Sequence, residues 1–330
     1  MRIGLGLIAA LALTLPLAAA APIYQPPRHS LPSPLMTGVA PGEIIARADA
    51  GTQIERGRSP AAELDEHRKL ERALRALTAQ RAGIVDAYIV SIALDSDPVF
   101  GREARAAGEV LQRRYDARGR TIVLAGSDGA APSALPRGSP ATLAIALARI
   151  AELMDRREDV LVLYTTSHGA PFGLNYHDGD SGYGAISPSR MRAMLDQLGL
   201  ENRLLILSAC FSGVFVPRLR SDTSAIVTAA AADRTSFGCL AENDWTFFGD
   251  AMINRALRKP QSLGAAFAEA GGLVAGWEAQ VSARPSQPQI FLGAGASRWL
   301  GALERRMPET ATQPAGRPAL ETTRAALSRR

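Results

Sequence analysis

A chain of 330 residues has room for one large domain or two small ones, and 47% hydrophobic with 21% charged residues is an ordinary globular balance. The net charge of +5 does not mark a nucleic-acid binder. Seven arginines face three glutamates between residues 298 and 330, the rest is close to neutral, and basic and aromatic residues do not interleave.

In chain order, residues 1–21 come first, with Arg2, an apolar core and a run of alanines from Ala18 to Ala21. They read as a secretory signal peptide cleaved near Ala20, which predicts export to the periplasm or medium. The alternative is a membrane anchor, if this segment is not cleaved. Residues 22–60 are expected to be a proline-rich linker and 61–82 a helix, with Ser59-Pro60 at its start and Leu64, Leu70, Leu74 and Leu77 on one stripe. Strands are predicted at 84–94, 121–126, 160–167, 203–209, 224–232 and 288–293. Helices are predicted at 101–117, 139–156, 187–199, 245–257 and 261–278, two of them opened by Ser139-Pro140 and Ser187-Pro188. Residues 301–330 read as a disordered basic tail.

Strands that are apolar throughout, with helices between them, indicate an α/β fold with a mainly parallel sheet covered on both faces. Ligands of such sheets bind beyond the carboxyl ends of the strands. His168, one of four histidines, and Cys210, one of two cysteines, stand at the carboxyl ends of successive strands. An imidazole beside a thiol can take its proton or stabilise the thiolate, which makes a nucleophile. Gly169 lets backbone approach a bound carbonyl closely, and the Gly169 and Cys210 amides could both point at a developing oxyanion.

The stretches "YTTSHGAPFG", "LLILSACFSG", "TAAAADRTSFGC" and "WTFFGDAM", in that order, resemble the legumain-type cysteine peptidases. These form family C13 of the caspase-like clan, and the bacterial members are the nearest in pattern. The resemblance runs from about residue 84 to 293. It implies a caspase-like three-layer α/β/α sandwich over 83–300, His168 and Cys210 as the catalytic pair, and an oxyanion hole from the Gly169 and Cys210 amides. It implies a peptide or protein substrate and no metal or organic cofactor. The expected reaction is hydrolysis through a thioester; the same dyad would serve a transpeptidase or transamidase, and a silent peptide-binding module would keep only the groove.

The chain departs from the better-known relatives at several positions. Ser208 replaces the acidic residue two places before the nucleophile, Ser167 the aspartate before the histidine, and Phe100 falls where a histidine-orienting asparagine is expected. The resemblance implies that Arg102, Ser236 and Asp250 are what remains of a substrate-binding pocket. Cys239 is expected to be a buried packing thiol; its alternative is a disulfide with Cys210. "GDSG" at 179–182 is a chance echo of a serine-protease motif, because the order of elements is wrong for that fold. The segment around it is expected to be a polar, glycine-rich loop over the substrate groove, with His177 exposed to solvent.

Overall fold

The computed structural model describes residues 27–126 and 133–328. The predicted signal peptide lies outside them. Within them the chain order is α1 (Pro41–Ala50), β1 (Gln53–Glu55), α2 (Pro60–Arg75), β2 (Ala87–Ala93), α3 (Pro98–Arg114), β3 (Thr121–Leu124), α4 (Pro140–Leu153) and β4 (Val160–Thr166). Then come β5 (Gly169–Ala170), β6 (Gly173–Asp178), β7 (Gly182–Ile186), α5 (Pro188–Gln197), β8 (Arg203–Ser208), α6 (Val216–Leu219) and β9 (Ser224–Thr228). A π-helical turn, Gly249–Arg255, precedes α7 (Leu263–Gln280), β10 (Gln289–Leu292), α8 (Ala296–Glu304) and α9 (Ala319–Leu327).

The main sheet has six strands in the order β10-β9-β8-β4-β2-β3, parallel except for β10. Each inner strand is buried on both faces, which is why the sequence shows continuous apolar runs. The alternation is visible in the packing. Ile89, Val162, Tyr164, Ile206 and Val227 face the layer of α3, α7, α8 and the π turn. Val90, Leu161, Leu163, Leu205 and Ile226 face the layer of α4 and α5. The predicted three-layer α/β/α sandwich with a mainly parallel sheet is what the chain forms. The three Ser-Pro starts all hold: Ser59, Ser139 and Ser187 each accept a backbone N–H of the first turn, with proline at the first helical position.

Register fixes the business end of the sheet. Ala93 pairs with Thr166, and Thr166 with Ser208. The carboxyl ends of β2, β4 and β8 therefore finish level, and residues 95, 168 and 210 each follow two positions beyond that line.

Four expectations need correction. Residues 22–60 are not simply a linker: 41–50 form α1, whose Ala48 is buried, and 53–55 pair with β7. The expected polar loop, 175–188, lies mostly in a β6–β7 hairpin of a second sheet, β1-β7-β6-β5, in which Leu174, Tyr176, Tyr183 and Ile186 are buried. Frequent glycines between those side chains hid the strand alternation. The Asp180 of "GDSG" accepts the Ser30 and Leu31 amides, so that motif anchors the N-terminal segment. The tail is ordered too, as far as residue 328. Ala319 is fully buried, its amide donates to Asp250, and Trp245 Nε1 donates to Ala315 O. α2 is shorter than predicted, and of its stripe Leu64 is exposed while Leu70 and Leu77 are buried. Among the described residues no helix is long and apolar enough to cross a membrane.

Deleting residues 316–330 is expected to lower the thermal midpoint by several degrees, since it uncovers core apolar surface and the buried Asp250. An unchanged midpoint would show that α9 is not docked.

Candidate active site

His168, Asp97 and Phe100 meet beyond the level carboxyl ends of β2, β4 and β8, and Cys210 leaves β8 at the same edge. His168 follows β4. Its Nε2 lies 3.5 Å from Oδ2 of Asp97, the residue that opens α3. Phe100, one turn into α3, presents an edge-to-face ring 5.0 Å from the imidazole. The asparagine-like orienting role, for which the sequence offered only Phe100, is therefore divided in space. Phe100 fixes the ring plane, and Asp97 supplies the polar partner that sequence reasoning missed. The one available signal was an acidic residue just before Pro98 at a strand-to-helix turn.

Charge follows from this packing. Burial works against protonated His168, but the hydrogen bond it donates to Asp97, its hydrogen bond with the Cys239 sulfur and the negative charge of Asp95 outweigh it. Together they push the imidazole up to about 11. Asp97 moves the opposite way: its hydrogen bond with His168 overcomes burial and holds its carboxyl below the usual carboxylate range. Asp95 is nearly inaccessible, and burial pushes it up to about 6 despite the positive charge of His168 and the Asp97 N–H donated to its Oδ1.

Cys210 follows β8 and is half-buried as a free thiol. The Ser236 N–H donates to its sulfur at 3.2 Å. Immediately after it, Phe211 adopts φ = 57°, a left-handed backbone that costs a bulky residue about 1–2 kcal/mol. The Phe211 N–H is held by Arg234 O at 2.7 Å, which stabilises this sharp exit from the strand. Gly169 has a reason other than access for a substrate carbonyl: a Cβ there would stand 2.1 Å from the Cys210 carbonyl oxygen. Glycine is what lets the His168 segment and the Cys210 segment touch.

Beneath Cys210 lies a fully buried carboxylate, Glu103 of α3. It accepts the hydroxyls of Tyr164, Thr166 and Ser208 and the amide of Thr246. Ser208, the position that is acidic in the better-known relatives, is thus a donor to an acid brought from another element. Burial and the Glu103 charge together push the Tyr164 phenol well above its ordinary value, which keeps it a donor.

Ser236 is at the site, but the other two predicted pocket residues are committed elsewhere. Arg102 reaches the backbone of the following loop, donating to Ala241 O and Asn243 O, with Asp244 3.4 Å away. Asp250 is fully buried, paired with Arg255 at 3.1 Å and bonded to Asn254 and the Ala319 amide, so its carboxylate faces the C-terminal helix. Cys239 packs against the Ala93, Val99 and Phe100 cluster as expected. It is nevertheless only half-buried, stands beside His168, and is a free thiol with no disulfide to Cys210. The expectation that His177 is exposed to solvent fails: it stacks on Tyr183 at 5.2 Å and lies tilted against the His29 ring at 4.2 Å.

Residues 142–293 match the Peptidase C13 family. That span holds His168, Cys210, Ser236 and Asp250 and begins after Asp97 and Glu103. The crystal structure of caspase-1 from Spodoptera frugiperda is similar at 14% sequence identity, covering 66% of this chain and 93% of that one, with a TM-score of 0.41. No curated protein sequence matches the chain.

Two outcomes follow from this geometry. A histidine whose folded pKa is raised stabilises the fold fully below its ordinary value of about 6.5, and that contribution is lost as pH rises towards about 11. The depressed Asp97 contributes above the ordinary carboxylate range and is lost in acid. Asp97→Asn should therefore cost most stability near pH 5 to 6.5 (about one unit above the Asp range to the His value) and less towards pH 9, read as the difference in thermal midpoint from wild type. A difference that does not vary with pH would mean that the pair carries no linked protons. Asp250→Asn is expected to cost about 1–3 kcal/mol by denaturant titration while leaving substrate preference unchanged; an altered cleavage profile would return Asp250 to the substrate pocket.

Proposed function

We propose a mechanism for a chain that belongs, through residues 142–293, to the legumain-type Peptidase C13 family and so has a cysteine-peptidase type of function with peptide or protein substrates. In this reading it is an exported endopeptidase with Cys210 as nucleophile and His168 as its acid and base. The observation that carries the reading is the level finish of β4 and β8, which sets His168 and Cys210 two residues beyond one Cα pair with Asp97 on Nε2.

The steps use these groups alone. The Cys210 sulfur, its proton already on His168, attacks the scissile carbonyl carbon as the thiolate, and the carbonyl electron pair moves onto oxygen. The amides of Gly169 and Cys210 are the proposed donors to that oxyanion. Asp97 favours the imidazolium, so His168 enters as an acid and protonates the departing amine as the C–N bond breaks. The thioester that remains is cleaved by water. His168, now neutral, takes the water's proton, and the thiolate leaves as the carboxylic acid product forms. Asp97 acts through His168 as a positioning residue. Phe100 restricts ring rotation, and the buried Glu103 network holds the strand ends on which the geometry depends.

Export rests on the N-terminal sequence, with its basic start, apolar core and alanine run. Substrate preference at the residue before the cut is expected to differ from asparagine selectivity, because Ser208 and Ser167 replace two acids and Arg102 and Asp250 are tied to other elements.

The test is a peptide-library cleavage profile of wild type beside Cys210→Ala and His168→Ala. Both variants should fold with unchanged circular dichroism and lose at least about 1000-fold in kcat/KM. Equal activity in wild type and Cys210→Ala would refute the mechanism.

A further inference from the structure

A second cluster of ligand-type side chains lies beside Asp97, whose Oδ1 is 3.3 Å from His29 Nδ1. His29, Asp95 and His177 each present one ligand atom, and the three atoms lie within 4.8 Å of one another. They come from three separate places: the N-terminal segment, the end of β2 and strand β6. Asp95 is bridged to His177 along the backbone, with the Ser96 amide on His177 O at 2.9 Å and the His177 amide on Leu94 O at 3.0 Å. Two of the three residues are therefore held rigidly in register, and His29 closes over them from the exposed segment.

An independent observation points to a ligand. The Asp95 side chain is 1% exposed, and while its Oδ1 accepts the Asp97 amide, its Oδ2 has no hydrogen-bond partner. That oxygen is aimed at the His177 ring, 3.8 Å from Nδ1, and His177 Nε2 is likewise buried without a partner. An unpaired carboxylate oxygen so deeply buried is costly unless a cation or a donor meets it. The outer contacts are also those of a metal site, because a ligating imidazole normally donates its other nitrogen to a neighbour. His29 Nε2 lies 2.7 Å from Ser96 Oγ, which the Gly179 amide fixes at 2.9 Å.

We propose that His29, Asp95 and His177 bind one divalent cation of the zinc type, which clamps the N-terminal segment onto the edge of the β6–β7 hairpin. Two imidazoles and a carboxylate favour zinc over magnesium or calcium, whose sites are built of oxygen. Zinc bonds of about 2.0–2.1 Å need the ligand atoms to draw in to about 3.3 Å, a movement that the segment carrying His29 supplies. Water completes the fourth position. The cysteine chemistry of Cys210 does not pass through this ion, and the inference stands whether or not that chemistry is right.

The experiment uses the untagged full chain, stripped of metal and titrated with zinc chloride by calorimetry and with cobalt(II) by visible absorption. One equivalent should bind, Cys210→Ser should bind as wild type does, and His29→Gln and His177→Gln should each lose at least tenfold in affinity. Zinc should also slow trypsin cleavage after the exposed Arg28 in wild type but not in His29→Gln, whose substitution lies on an exposed segment and leaves the core intact. Absence of stoichiometric zinc binding would overturn the proposal. So would binding that survives His29→Gln and His177→Gln and disappears in Cys210→Ser, because the ion would then sit on the thiol.

Discussion

The in-phase finish of β2, β4 and β8 is the constraint on which the rest of the molecule depends. Parallel strands pair with evenly spaced, slanted hydrogen bonds, so a one-residue slip would exchange the two faces of a strand along its whole length. Here both faces are apolar, and register is held by size instead: Tyr164 belongs on the α3 side, Leu163 on the other. With the ends level, Cys210, His168 and Asp95 emerge side by side from neighbouring strands. Asp97 follows in the short turn into α3. Gly169 then allows the two central exits to touch at a distance that any side chain would forbid.

Electrostatics at this edge divides into an inner and an outer part. Inside, Glu103 gathers hydroxyls from β4 and β8 and an amide from the loop at Thr246, so one carboxylate ties α3 to two strands and to the segment entering the π turn. Gly249 in that turn is required for the same reason, since a Cβ there would stand 2.1 Å from a Glu103 oxygen. Outside, Asp97 and Asp95 form a negative margin beside His168. The imidazole is partly open to solvent, yet Asp97, the Cys239 sulfur and Asp95 together overcome the cost of charging it. The result is an imidazole held in its charged form beside the Cys239 thiol, assembled from ion pairing and not from a basic environment at large.

Much of this was legible in the sequence because it is local. Continuous Val, Leu and Ile runs mark strands buried on both faces, and Ser-Pro pairs mark helix starts to within a residue. The His-Gly and Ala-Cys positions could be placed at strand ends from those runs alone. What escaped was non-local. Asp97 reads as an unremarkable residue before a proline until the fold brings it 71 positions across to His168. Arg102 and Asp250 carry suitable charges, but their partners at Ala241, Asn243 and Arg255 could be found only once loops and helices had packed. The small second sheet was hidden by its glycines, and the tail by an arginine content that outweighs the few apolar residues by which it docks.

The buried Glu103 also changes what position 208 can become. Ser208 is a hydrogen-bond donor into a pocket already filled by a carboxylate, with no open route to solvent. An aspartate or glutamate placed there would set two acids in contact in a dry interior, and one would have to stay protonated or push the strand end aside. Residues 103 and 208 therefore form one unit, in which the acid is supplied by either the helix or the strand but not by both. Any lineage, natural or engineered, that moves the charge to the strand must give it up on the helix, so the two sites are expected to change together or not at all.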